Sequence, residues 1–385
     1  MAEQLSLAPD TLRWARLRAS LDEDALAGRL RLKPEEVRTW ETTGAITLAL
    51  LEKLANKTKT PIGFLFLDEP PEERLPIEDF RTVEGSPPAT PSAELLDTVN
   101  DCQRRQDWYR EHQVSLGEDP LPFVGRGARS YVFEAVAGDI VQTVGLFVED
   151  RARARDSGDA LGRMVEKVEE AGILVMRNGV VGNNTRRKLD TGEFRGFTLS
   201  DPYAPLIFVN NTDAKTDQIF TLAHELAHVW LGQSGISDVA NSAFRSVERF
   251  CNQVAGEVTV PRSDLREHWD TTADALGLIG RLARRYRVSR AVVLIRARDI
   301  GLVSAERFGP LFDTVSRPSS QEEESASGGN FYTTQNSRLG RRFPRAVIMS
   351  ALEGQTLYRD AMSLVGTPKT ETFKKYAETL GVPFR

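Results

Sequence analysis

Apolar residues recur at helical spacing over 9–20, 24–32, 34–42, 47–57 and 61–66, with short breaks at Leu32-Lys33-Pro34 and Gly44-Ala45. This pattern predicts a bundle of short helices. From Asp68 the periodicity stops, and DEPPEERLPIEDFRTVEGSPPATPS sets seven acidic residues among six prolines. Such a stretch reads as an extended linker. Helical spacing resumes over 95–113 and 130–170, with weak breaks near Gly138 and Gly158. Three short β-prone runs follow, GILVMRN (172–178), FRGFTLS (194–200) and PLIFVN (205–210), bounded by Gly, Asn, Asp and Pro. They predict a small antiparallel sheet.

After the sheet, Thr216 to Leu231 carries no breaker until Gly232, and Asn210-Asn211-Thr212-Asp213 offers N-cap oxygens. A further helix over about 243–258 ends ahead of Pro261. Two helical patterns within 274–300 flank a Val288-Ser289 turn, in outline a helix-turn-helix. SRPSSQEEESASGGN (316–330) is polar and of low complexity, and a small helical tail closes the chain. The expected fold class is α+β, mostly helical, with a helical N-terminal bundle, a core built on a small antiparallel sheet, and C-terminal helical segments.

Composition narrows the function classes. At 385 residues, two or three domains are expected. A formal charge of -5 makes no global case for nucleic-acid binding. No stretch approaches the roughly 18 apolar residues of a membrane helix, and the N-terminus lacks a signal-like apolar region. Cys102 and Cys251 stand far apart without a CxxC partner, so neither a disulfide framework nor a cysteine metal site is supported. The chain is therefore expected in the cytoplasm, with no membrane partner.

The strongest chemical signal is FTLAHELAHVW (220–230), containing His224-Glu225-Leu226-Ala227-His228. Residues four apart share one helix face, so two imidazoles converge on a single ion without backbone strain. Glu225 is rotated by about 100° from His224 and is the expected general base acting on water at the metal. Zinc suits imidazole and carboxylate donors, and a catalytic site needs three protein ligands plus an open position. Asp238, Glu248 and Glu257 are the candidates for the third ligand. Glu248 is favoured because it begins a rigid helix, on which Ala255 and Gly256 permit close approach. Glu257 lies about 180° around that helix, so both cannot face the ion. An ordinary helix-start glutamate, favoured by the helix dipole, is the competing reading of Glu248. His268 is a candidate oxyanion donor, with a helix-packing histidine as the plainer alternative.

At these residues the sequence resembles the ImmA/IrrE family of metallopeptidases, which pair an HExxH helix with a downstream Glu-containing helix. GEFRGFTLSDPYAPLIFVNNTDAKTDQIFTLAHELAHVWLG looks like the family's sheet leading into its motif helix. ERFCNQVAGEVTVP looks like its second metal-site segment. The resemblance places Glu248 at the ligand position and Asn252 at the family's Asn, with Cys251 and Val258-Thr259-Val260 departing slightly from the usual pattern. It implies a zincin-like core, bound Zn2+, and cleavage of a repressor or antitoxin-like regulator in a stress or mobile-element response. The implied organisation is an XRE-type helix-turn-helix (1–67), a linker (68–97), a metallopeptidase core (98–265), a helix-turn-helix-like region (266–315), a flexible linker (316–330) and a helical tail (331–385).

LDEDALAGRLRLKPEEVRTWETTGAITLALLEKLA looks like the XRE-type module, with Val37, Trp40 and Glu41 in its would-be recognition helix. Lys33 and Arg38 are the candidate DNA contacts, and Arg29 and Arg31 extend the local patch. Glu35 and Glu36 would repel phosphates, and residues 1–70 hold ten Lys/Arg against eleven Asp/Glu, so the usual basic footprint is missing. A protein-docking module is the alternative. The run Arg281, Arg284, Arg285, Arg287, Arg290, Arg296 and Arg298 reads as a solvated helical face that pairs with the acidic linker. The competing function is a DNA-binding regulator or antitoxin-type binding protein in which zinc is structural.

Overall fold

In a computed structural model, residues 4–19, 21–73, 75–79, 91–130, 132–237, 246–316 and 330–383 are described. They are mostly helical with small sheets, consistent with an α+β class. The chain divides into two compact units, residues 1–76 with 89–99, and 77–88 with 100–385.

The first unit contains β1 (Gln4–Ser6), α1 (Pro9–Arg18), α2 (Glu23–Leu30), α3 (Pro34–Thr43), β2 (Ala45–Thr47) and α4 (Leu48–Thr58). Residues 61–66, expected as a helix, form a 3-10 turn over Ile62–Phe66. β1 and β2 pair antiparallel. Asp22 caps α2 by accepting from the Ala25 amide at 2.7 Å. Pro34 starts α3, where Glu36 reaches back to the Lys33 amide at 2.9 Å. Val37, Trp40 and Glu41 point inward with Leu12, Leu26, Ile46, Leu51 and Leu54, so these members of the would-be recognition helix build the core. Arg16 meets Glu41 with two parallel hydrogen bonds of 2.7 and 2.8 Å in this interior. Lys33 and Arg38 remain exposed, and Arg38 pairs with Glu23.

The second unit opens with β3 (Glu78–Asp79), inside the stretch expected to be a linker. α5 (Ala93–Ser115) begins among residues of the first unit and continues into the second. Then come α6 (Phe133–Val144), α7 (Val148–Ala152), α8 (Ser157–Glu170), β4 (Leu174–Asn178), β5 (Val180–Val181), β6 (Asn184–Lys188), β7 (Gly196–Leu199) and β8 (Leu206–Asn210). The chain continues through α9 (Lys215–Leu231), β9 (Gly235–Ser237), α10 (Ser246–Thr259), α11 (Arg262–Glu267), α12 (Ala275–Tyr286), α13 (Arg290–Asp299) and α14 (Ala305–Val315). The tail holds α15 (Phe331–Leu339), α16 (Arg342–Leu352), α17 (Tyr358–Leu364) and α18 (Thr370–Thr379).

The sheet is mixed rather than antiparallel. Its order is β3-β9-β7-β8-β4, with β4 parallel to β8, β7 antiparallel to both β8 and β9, and β3 parallel to β9. Only β7 and β8 form the hairpin that consecutive strand runs suggest. The chain leaves β4 through the β5–β6 hairpin and returns so that β8 lies alongside β4. β7 and β8 are buried at every position, and continuous apolar runs report burial on both faces while leaving strand direction unspecified.

α9 begins at Lys215 and stops at Gly232, whose φ of 70° supplies the left-handed cap. No side chain caps its start. Asn210, expected to offer a cap, accepts instead from the Thr212 hydroxyl at 2.8 Å, and Gln218 bonds the Asp213 carbonyl at 2.7 Å. From Thr221 to Trp230 every residue of α9 is buried, which requires partners for its three ionisable side chains.

Candidate metal centre

α9 lies on the sheet with α10 packed beside it, and this arrangement converges polar side chains in an apolar interior. His224 and His228, one turn apart, face Glu248 in the first turn of α10. Glu248 Oε2 is 3.2 Å from His224 Nε2, and Oε1 is 3.0 Å from His228 Nε2. The two Nε2 atoms are 3.2 Å apart. All three residues have 0% exposure.

Neutral imidazoles that present lone pairs to one another and to a carboxylate repel, so the cluster calls for positive charge at its centre. Burial opposes charge on His224, but the facing Glu248 outweighs it and raises the imidazole above its ordinary range. Burial likewise opposes charge on Glu248, yet hydrogen bonds and attraction from His224 and His228 hold that carboxyl down to about 2. A proton meets this demand, and so does a cation. The ligand-capable atoms all lie within 4.8 Å of one another, and the donor set of two imidazole nitrogens and one carboxylate is that of a zinc site with three protein ligands. His224 Nδ1 lies 2.9 Å from Asn252 Oδ1. An amide oxygen only accepts, so Nδ1 carries the proton and the Nε2 lone pair points to the cluster.

Glu225 faces the sheet. Thr198 Oγ1 of β7 donates to Glu225 Oε2 at 2.7 Å, while Glu225 Oε1 is buried without a hydrogen-bond partner among the described residues. Burial pushes the Glu225 carboxyl up, against the pull of His228, His224 and the Thr198 hydrogen bond. Gly196 makes this close approach feasible. A Cβ there would lie 2.9 Å from each of Glu225 Oε1, the Phe208 carbonyl and Thr221 Cγ2. On the outer side, Ser237 Oγ of β9 is 3.2 Å from His228 Nε2.

The other candidates lie elsewhere. Glu257 turns away and pairs with Arg296 of α13. Asp238 falls outside the described residues. His268 follows the last residue of α11 as its C-cap and is exposed, with Nδ1 2.9 Å from the Asp264 carbonyl. Gly256 faces Arg296, so α13 rather than the motif helix exploits its small size. The arginine run is divided between roles. Arg285 pairs with Asp264, Arg287 bonds the Ala154 carbonyl and Arg296 pairs with Glu257, whereas Arg281, Arg284 and Arg290 are exposed.

Sequence reasoning alone did not reach Thr198, Gly196 or Ser237. A lone glycine inside FRGFTLS was the available signal, since glycine within a strand often marks a close backbone approach.

Residues 168–298 match the IrrE N-terminal-like domain, Peptidase_M78. The matched stretch runs from the end of α8 into α13 and contains the whole cluster. It supports the ImmA/IrrE resemblance and a metallopeptidase-type function, in a family that is typically metal-dependent. Residues 339–379 match a domain of unknown function (DUF8813), covering α16, α17 and α18. No curated protein matches the chain. Among the described residues no helix is long and apolar enough to cross a membrane.

Proposed function

We propose that the chain is a zinc-dependent endopeptidase that cleaves a repressor-like regulatory protein in a stress or mobile-element response. The observation that carries this reading is Glu225: a second buried carboxylate, separate from the His224, His228 and Glu248 cluster, with one oxygen fixed by Thr198 and the other unpartnered. A purely structural metal site has no use for such a group, whereas hydrolysis needs a base. His224 Nε2, His228 Nε2 and the Glu248 carboxylate would hold the ion. Zinc in such a site polarises a carbonyl and makes water a readier nucleophile at neutral pH. Glu225 Oε1 takes the proton that water loses as its oxygen bonds to the peptide carbon. The same carboxyl then returns that proton to the leaving nitrogen as the C–N bond breaks. Burial raises the Glu225 carboxyl above its ordinary range, which makes it a stronger base for the proton that water loses. Asn252 keeps the His224 proton on Nδ1.

The test is Glu225→Gln in zinc-loaded protein incubated with repressors encoded beside it. Zinc content and melting temperature should stay the same while cleavage disappears; cleavage at the unmodified rate refutes the reading.

A second reading is favoured by α3, where Lys33 and Arg38 stand exposed. Here the chain is a DNA-binding regulator or antitoxin-type partner with a structural zinc. It expects an operator footprint lost in Lys33→Ala with Arg38→Ala, and regulation unaffected by Glu225→Gln.

A further inference from the structure

His224, Glu225, His228, Ser237 and Glu248 all have 0% exposure. A peptide therefore reaches the centre only if a wall moves. α9 and α10 belong to the continuous apolar core and are poorly placed to open. β9 is three residues long, paired with β7 on one side and with the two-residue β3 on the other. Ladders this short open locally at little cost relative to the core.

The register of β9 places it across the chemistry. It runs antiparallel to β7 with Ser237 opposite Gly196, Ile236 opposite Phe197 and Gly235 opposite Thr198. Gly196 is the residue whose missing side chain lets Glu225 Oε1 approach, and Thr198 fixes Glu225 Oε2. Ser237 thus sits level with the unpartnered Glu225 oxygen and, through Oγ, 3.2 Å from His228 Nε2. An extended peptide adding to β7 through its main chain would need this same line.

We propose that β9 is a displaceable strap that occupies the peptide's strand position in cis, with Ser237 against the ligand cluster and β3 pinning the outer edge. The proposal rests on the metallopeptidase reading. Substrate capture then requires exchange of one strand for another on β7, so the resting protein has low activity towards short peptides and releases metal slowly.

Glu78 and Gly235 are register partners across the β3–β9 ladder, and Gly235 lies in extended strand β9. Glu78→Cys with Gly235→Cys allows a reversible latch. Zinc transfer to a chromogenic chelator should be at least tenfold slower in the oxidised form, with reduction restoring the rate. Glu78→Pro with Asp79→Pro removes the donors of β3, and should speed release at least tenfold while accelerating hydrogen exchange at the β9 amides. Equal release rates in the latched, reduced and proline forms overturn the strap alone. Failure of the unmodified protein to bind stoichiometric zinc overturns the metal reading, and the strap falls with it.

Discussion

Thr198 Oγ1 donates to Glu225 Oε2 across 2.7 Å, joining the middle of β7 to the motif helix at the point where proton transfer is proposed. The bond leaves Oε1 as the oxygen available to water and favours the ionised carboxyl. Thr198→Val keeps the shape and removes the donor. Hydrogen bonds to charged groups contribute about 1.5–3 kcal/mol, so kcat/KM should fall about tenfold or more with zinc content unchanged. Loss of the bond raises the Glu225 pKa further, so the acid limb of the kcat/KM profile should move to higher pH. An unmoved limb would assign Thr198 to packing only.

Metal removal should reverse the pH dependence of stability. In the metal-free protein, Glu248 raises His224 above its ordinary 6.5, so that stabilisation is full below about 6.5 and is lost as pH rises through the folded value. Glu248 is lowered from 4.5 to about 2, so its contribution is present above 4.5 and is lost as pH falls towards about 2. Taken together, these place the greatest contribution of the site between pH 4.5 and 6.5. Zinc requires deprotonated imidazoles, so the zinc-loaded protein should gain stability as pH rises through the same upper limit. Melting temperatures between pH 4 and 8, with chelator and with zinc, should coincide at the acid end and separate as pH rises; curves that coincide throughout would mean that the cluster does not hold the ion. Glu248→Ala should abolish the zinc-dependent increase.

The motif helix was legible because its chemistry is local: a spacing of four places His224 and His228 together whatever else the chain does. Glu248 was less so: it begins an amphipathic helix on which Glu257 is half a turn out of phase, but an ordinary helix-start glutamate remained an open reading until the family resemblance placed it at the ligand position. Thr198 and Ser237 were not. Each reaches the site through strand pairing, and β9 and β3 are too short to carry a periodic signal. Strand direction was hidden for a related reason, because burial on both faces of β4, β7 and β8 erases the alternation that marks an antiparallel sheet. Glu41 shows the converse: its place in a helix was plain, while its inward direction depended on Arg16, 25 residues before it.

One buried carboxylate gathers several of the contacts that dock the C-terminal segment. Glu169 at the end of α8 accepts from the amides of Arg341 at 3.0 Å and Arg342 at 3.1 Å, and Arg342 Nε donates to Tyr109 at 2.7 Å. Gly340, with φ of 69°, makes this turn possible. A Cβ there would collide with Glu169 Oε1 and approach the Val175 carbonyl to 2.8 Å. Gly340→Ala combines backbone strain with overlap and should cost at least about 2 kcal/mol in urea unfolding. Glu169→Gln keeps an acceptor and should cost less. No loss in Gly340→Ala would show that the turn rearranges to accept a side chain.

The Arg16–Glu41 pair should be the main polar determinant of stability in the N-terminal unit. Side-chain exposures of 9% and 5% leave little water to solvate either charge once its partner is gone. Arg16 also donates to the Leu21 carbonyl at 3.0 Å, so the guanidinium joins the end of α1 to the start of α2 as well as to α3. Removing one partner of a buried pair costs about 3–5 kcal/mol, whereas apolar replacement of both is often close to neutral. Glu41→Leu alone should therefore accelerate hydrogen exchange at the α1 amides strongly, and Arg16→Met with Glu41→Leu should recover much of the protection. Unaltered exchange in the single variant would place Glu41 outside the fold's polar framework and return it to the role of a surface-reading residue.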